Sequence, residues 1–172
     1  MADEGATAPE DPNQPATSAE LQRRLREEVA RAARNGTALA TLAIVIENLD
    51  DVVHDGDGSL RDRTTAYLAD TLASELRAYD RVGQWPGGAL VVILPGADAI
   101  EAERVARRLL ARIRSVKLEI GGERHPLTVT IGFANFAAEA TGDDLLLRAL
   151  SAARHAGAER IQLAAVESPN VF

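Results

Sequence analysis

Arg77-Ala-Tyr-Asp-Arg-Val-Gly-Gln-Trp-Pro-Gly-Gly-Ala-Leu-Val-Val-Ile-Leu-Pro95 is the stretch that decides the fold. A short strand runs through Val82 to Trp85, Pro86-Gly87-Gly88 makes the turn, and Leu90 to Leu94 is an apolar strand closed by Pro95-Gly96, which together predict a β-hairpin. Before it, Leu60 to Tyr79 places Thr65, Leu68, Leu72 and Leu76 on one helical face, so a helix is expected to end near Tyr79. After it, Asp98 caps a helix that turns Ala102, Val105, Leu109 and Ile113 inward, with Arg104, Arg107 and Arg108 on the opposite side.

Toward the N-terminus, Thr17 and Glu20 have capping-box spacing, and Leu21, Leu25 and Val29 continue a helical period until Asn35-Gly36 stops it. Ala38 to Glu47 is an apolar run suited to a central strand buried on both faces. Asn48 to Ser59 is acidic and glycine-bearing, hence loop with room for one short helical piece. Toward the C-terminus, Lys117 to Ile120 and Leu127 to Ala134 read as strands joined through Gly121-Gly122. Asp143 or Asp144 starts a last helix with Leu146, Leu147, Leu150 and Ala153 inward, ended by Gly157, and Arg160 to Ala164 closes as a strand. Helices alternating with strands and hairpins predict an α+β fold, a mixed and mostly antiparallel sheet under helices.

Composition narrows the classes of function. With 172 residues, 46% of them hydrophobic, the chain can bury a sizeable core as one domain. A net charge of −7 argues against general affinity for DNA or for an anionic membrane. Of 19 basic residues only Lys117 is lysine. Without cysteine there is no thiolate nucleophile, disulfide or zinc–sulfur site, and His54, His125 and His155 lack ligand spacing. No basic start precedes an apolar run and no stretch nears the length of a membrane span, so a soluble, cytoplasmic protein is expected. Residues 1–16 are acidic and proline-rich with no large apolar residue beyond Met1, so they read as a disordered tail. The folded domain is placed at 17–166 and a second tail at 167–172.

Over roughly residues 18 to 165 the chain resembles the GGDEF family of diguanylate cyclases. Three landmarks carry the likeness: the hairpin, Leu127-Thr-Val-Thr-Ile-Gly-Phe-Ala134, and Ala149-Leu-Ser-Ala-Ala-Arg-His-Ala-Gly-Ala-Glu-Arg-Ile161. The resemblance implies a ferredoxin-like βαββαβ core and the joining of two GTP molecules into cyclic di-GMP, a bacterial second messenger. It also implies divalent metal held by carboxylates. Here the chain departs. The family's Gly-Gly-Asp/Glu-Glu-Phe falls on Pro86-Gly87-Gly88-Ala89-Leu90, so both acids are missing. Its Asp-x-Asp-x-Phe falls on Val45, Glu47 and Leu49. Its guanine-binding asparagine and aspartate fall on Val53 and Asp62, and its phosphate-binding cations on Arg154, Ala158 and Arg160. With Val45 and Ala89 in place of metal carboxylates, the expectation is a degenerate domain that is not an enzyme and holds neither metal nor cofactor. Glu47 reads as a polar strand end, and Trp85 as a packing residue.

One family element stays in register. The resemblance puts the Arg-x-x-Asp of an inhibitory, product-binding I-site on Arg77 and Asp80. An aspartate can accept from the N1–H and amino group of guanine, and an arginine fork can donate to O6 and N7 or to phosphate. At i and i+3 on a helix end the two side chains can converge. Arg104, Arg107 and Arg108 are candidate phosphate donors, although a solvated helix face accounts for them as well. Tyr79 is either packed or free to stack on a base. The expected function is thus a cyclic di-GMP receptor in signal transduction. Two alternatives stay open: a ligand-free interaction module, dimerising through Leu21, Leu25 and Val29 or docking a protein effector, and a regulatory GTP-binding domain using Asp62, Arg154 and Arg160.

Overall fold

The computed structural model describes residues 15–53, 58–137, 140–156 and 160–163. Expectations for residues 1–14, His54, Gly157, Ala158 and the C-terminal tail lie outside them. The described elements, in order, are α1 (Ser18–Asn35), β1 (Leu39–Ile46), α2 (Leu49–Val52), α3 (Ser59–Ala73), β2 (Arg81–Trp85), β3 (Ala89–Pro95), α4 (Ala99–Ser115), β4 (Leu118–Ile120), β5 (Glu123–His125), β6 (Val129–Asn135), α5 (Gly142–His155) and β7 (Ile161–Leu163). The main sheet has the order β2-β3-β1-β6-β7. Its first three pairings are antiparallel and β6–β7 is parallel, so the sheet is mixed and mostly antiparallel, as the sequence indicates.

Period-2 alternation distributes the core over both sheet faces. From β1, Ala40, Leu42, Ile44 and Ile46 join Leu68 and Leu72 of α3 and Leu109 and Ile113 of α4. Leu39 and Ala43 point the other way, into a cluster with Leu21 and Leu25 of α1 and Leu145, Leu146, Ala149 and Leu150 of α5. The apolar stripe of α1 is therefore spent inside the fold. Leu21 and Leu25 are each 1% exposed, which corrects their assignment to a dimer surface.

Local chemistry fixes the ends of the elements. The Thr17 hydroxyl accepts the Glu20 N–H (3.3 Å) and the Glu20 carboxylate accepts the Thr17 N–H (2.6 Å), a complete capping box, while Gly36 closes α1 at φ 64°. Thr17→Ala is expected to lower stability by about 1 kcal/mol. A denaturant titration with an unchanged m-value and a shifted midpoint is the check. Ala16, assigned to the tail by composition, instead bridges Gly83: its N–H donates to Val82 O and its carbonyl accepts from Gln84 N–H, covering the open edge of β2.

The remaining departures have local causes. The third helix of the chain stops at Ala73, well before Tyr79. The Arg77 N–H goes to the Asp80 carboxylate at 2.9 Å, a local bond that competes with helix continuation. Gly121-Gly122 does not lead into the long strand but turns β4 onto the extra strand β5, a separate two-stranded sheet whose Glu123-Arg-His sequence carries no apolar alternation. The cap of α5 is Thr141, whose hydroxyl accepts the Asp144 N–H at 3.1 Å. Leu147, expected inside, is 65% exposed, and Leu145 takes the inward place.

Candidate functional site

Residues 77–80 form a tight turn between α3 and β2, bound from within. The Asp80 N–H donates to Arg77 O (3.1 Å) as Asp80 Oδ2 accepts the Arg77 N–H. From the neighbouring position, the Arg81 guanidinium donates to Ala78 O (2.8 Å) and Asp80 O (2.9 Å). Arg77 and Asp80 are thus brought together, though by a turn rather than by a helical i,i+3 pair. Asp80 is buried at 8% exposure while the Arg77 side chain is exposed. Burial pushes the Asp80 carboxyl above the ordinary aspartate value, partly offset by the Arg77 N–H bond and by the charges of Arg77 and Arg108.

Helix α4 supplies the facing wall. Arg108 donates to Glu75 O at 2.8 Å, just before the turn, and its charge reaches Asp80. Glu101, Arg104 and Arg108 fall at i, i+3 and i+7, one face of α4. Arg107 holds Glu103 one turn back at 2.5 Å. Glu101 is the residue that sequence reasoning missed: its Oε1 accepts from Arg77 Nη2 at 2.6 Å. Nothing in the local sequence marks it beyond its place after the Asp98 cap, since its partner lies in a distant segment. Tyr79 is half-exposed rather than packed, with its hydroxyl accepting from Arg77 Nη1 at 3.2 Å.

The positions that align with a catalytic centre lie on the sheet. Pro86, Gly87 and Gly88 form the turn of the β2–β3 hairpin, with φ of 84° and 78° at the two glycines, values that favour glycine. Trp85 pairs with Ala89 across that hairpin and Val45 pairs with Thr130. The β1–β3 ladder ends at the Ile44–Leu90 pair, so Val45 and Ala89 are the residues just beyond its last pair. Ala89 belongs to the core cluster beneath α1 and α5, and the partly buried Trp85 and Val45 pack against it, consistent with the packing role read for Trp85. Leu90 points the other way and is fully buried. Glu47, at the end of the strand, accepts from Thr130 Oγ1 at 3.0 Å.

Among the described residues no three His, Asp or Glu side chains converge as a metal-holding group. This apolar row does not fit a divalent ion held by two carboxylates as the family holds it. Val53 is buried, Asp62 is exposed in the first turn of α3, and Arg154 and Arg160 are exposed at the end of α5 and before β7. Asn48, also missed, forks onto another segment: Nδ2 donates to Pro126 O and Oδ1 accepts the Thr128 N–H, both at 2.8 Å. Among the described residues no helix is long and apolar enough to cross a membrane.

Comparison with known proteins gives this geometry its family. Residues 17–161 match the family described as "Diguanylate cyclase, GGDEF domain". Diguanylate cyclase DgcP of Pseudomonas aeruginosa is 28% identical over 149 residues, which is 85% of this chain and 22% of that protein. Diguanylate cyclase DosC of Escherichia coli is 26% identical over 142 residues, 80% of this chain and 31% of that protein. The chain thus spans less than a third of either relative. Among solved structures, the GGDEF domain of YfiN (TpbB) from Pseudomonas aeruginosa superposes with a TM-score of 0.78 at 24% identity, covering 91% of this chain and 99% of that one. The GGDEF domain of DgcB from Caulobacter crescentus, solved in complex with c-di-GMP, gives 0.76 at 18% identity, covering 93% and 97%.

These relatives correct the expectation that the chain is not an enzyme: the curated proteins it matches are named diguanylate cyclases. A divalent ion also takes oxygen ligands from backbone carbonyls, water and the phosphates of its nucleotide, so Val45 and Ala89 do not by themselves exclude one. Fold, landmark order and matched span agree, and the chain belongs to the GGDEF domain family of diguanylate cyclases.

Proposed function

We propose that this GGDEF domain binds cyclic di-GMP at the turn between α3 and β2, with Asp80 accepting from a guanine edge and Arg77 donating to guanine or phosphate. The observation that carries the reading is the turn itself. It holds the Asp80 carboxylate and the Arg77 backbone 2.9 Å apart, with the exposed Arg77 side chain projecting from the same place and Arg108 opposite. A polar group pre-positioned in this way loses little further freedom when a ligand arrives. Burial also strengthens what the carboxylate offers, because a partly desolvated acceptor gains more from a guanine N1–H and amino group than one in open water. The complex of the DgcB domain with c-di-GMP supports this ligand class for the fold. A cyclic dinucleotide brings two phosphates, for which Arg104 and Arg108 are the donors on the α4 face.

The test is a calorimetric titration of cyclic di-GMP into the wild type and Arg77→Ala. Loss of the fork should weaken binding at least tenfold, about 1.4 kcal/mol. The backbone N–H that Asp80 accepts is retained in alanine, so the turn should persist and the melting temperature should stay close to that of the wild type. Equal affinity in the two proteins would remove Arg77 from the site.

A further inference from the structure

The Arg77 guanidinium already holds an anion. Its Nη2 donates to Glu101 Oε1 at 2.6 Å, and this contact is the main reason its pKa is raised, with the Tyr79 hydroxyl second. Glu101 is held in place independently of Arg77. It sits in the first turn of α4, where its N–H donates to the Asp98 cap at 2.8 Å, so its backbone is fixed by the helix start rather than by Arg77. Its negative charge also bears on Asp80. A phosphate approaching Arg77 therefore meets a carboxylate on the same nitrogen and a second negative charge beside it.

We propose that Glu101 is a built-in competitor: a carboxylate latch on α4 that occupies the Arg77 fork in the free protein and must release it before a phosphate-bearing ligand can use it. This rests on the reading of Arg77 and Asp80 as the cyclic di-GMP site. The latch sets the threshold concentration for binding and favours a ligand with two phosphates over one with a single phosphate. Arg104 and Arg108, on the same α4 face, can take the second phosphate while the first displaces Glu101. The pair is partly solvated, with side-chain exposures of 54% and 35%, so its effect is that of an exposed ion pair plus like-charge repulsion. Removing the charge is expected to tighten binding by about two- to fivefold.

The experiment titrates cyclic di-GMP into the wild type, Glu101→Gln and Glu103→Gln. The last loses the same charge from the same helix, but Glu103 is paired with Arg107 and not with Arg77. The latch predicts tighter binding by Glu101→Gln, with a lower salt dependence of the difference than bulk charge would give, and less than a twofold change for Glu103→Gln. Binding by the wild type with Glu101→Gln equal to Glu103→Gln, or weaker than the wild type, overturns the latch alone. Failure of all three proteins to bind overturns the site, and the latch with it. Melting curves of the three proteins, which should coincide, confirm that each is folded when titrated.

Discussion

Gly132→Ala should lower the stability of this domain by about 3 kcal/mol, the upper part of the range for overpacking a closed core. A Cβ at position 132 would run into the Ala149 carbonyl oxygen and the Ala153 backbone nitrogen of α5. Both obstacles are main chain of α5, so neither can swing aside as a long side chain would. The helix must lift from β6, and with it go contacts made by Ala149, Leu150 and Ala153 in the core beneath α1. For a domain of this size the loss corresponds to about 6–12 °C in melting temperature. Gly142→Ala is the graded comparison. There the nearest atoms are at 3.3–3.4 Å and the backbone is helical, so a loss well under 1 kcal/mol is expected. Thermal melts of the two variants side by side are the measurement, and equal losses would mean that the close approach of α5 to β6 does not limit packing.

The second large effect concerns acid. Burial raises the Asp80 carboxyl above its ordinary 3.8, and the guanine recognition proposed for it uses the ionised form. Affinity for cyclic di-GMP should therefore be full at neutral pH and fall on acidification while ordinary surface aspartates are still charged, about tenfold for each pH unit below the raised value. For folding the sign is reversed. A carboxyl with a raised pKa contributes stability below its unfolded value, and that contribution is lost as pH rises through the folded value. Asp80 in its charged form is thus a cost that the fold carries at neutral pH. Affinity measured from neutral pH downward, beside thermal stability over the same range, separates the two: binding should fail before the fold does.

How much of this was legible in the sequence depended on whether the deciding interaction was local. The hairpin, the Thr17–Glu20 box, the Asp98 cap and the stop at Gly36 are settled within a few residues, and each stands where the sequence placed it. The end of α3 was misplaced although its cause is also short-range. Leu76 continues the apolar period, but Asp80 captures the Arg77 N–H that a longer helix would have used. Three consecutive leucines, 145–147, offered three registers for α5. What excludes Leu147 is the small-residue stripe of Gly142, Ala149 and Ala153, which packs on α1 and β6. Glu123-Arg-His gives no pattern of a strand at all.

Long-range partners were the least visible. The Ile-Gly-Phe strand and the alanine-rich helix were both recognisable as landmarks, yet only the fold makes them two halves of one contact at Gly132. Glu101 lies beyond the whole hairpin from Arg77, and no sequence spacing connects the two. The sequence could nominate Arg77 and Asp80; it could not say that one is already engaged and the other buried.

The measurement that bears most directly on the central claim is a calorimetric titration of cyclic di-GMP into the wild type and Asp80→Asn at neutral pH. An asparagine oxygen still accepts the Arg77 N–H, so the turn survives, but the amide presents donors where guanine's N1–H and amino group need an anionic acceptor. The substitution also makes the protein less negative, which would favour any ligand attracted merely as an anion. Binding by the wild type is expected, with affinity at least tenfold weaker in Asp80→Asn, about 1.4 kcal/mol. Affinity that is unchanged or tighter in Asp80→Asn, or no binding by the wild type, would contradict it.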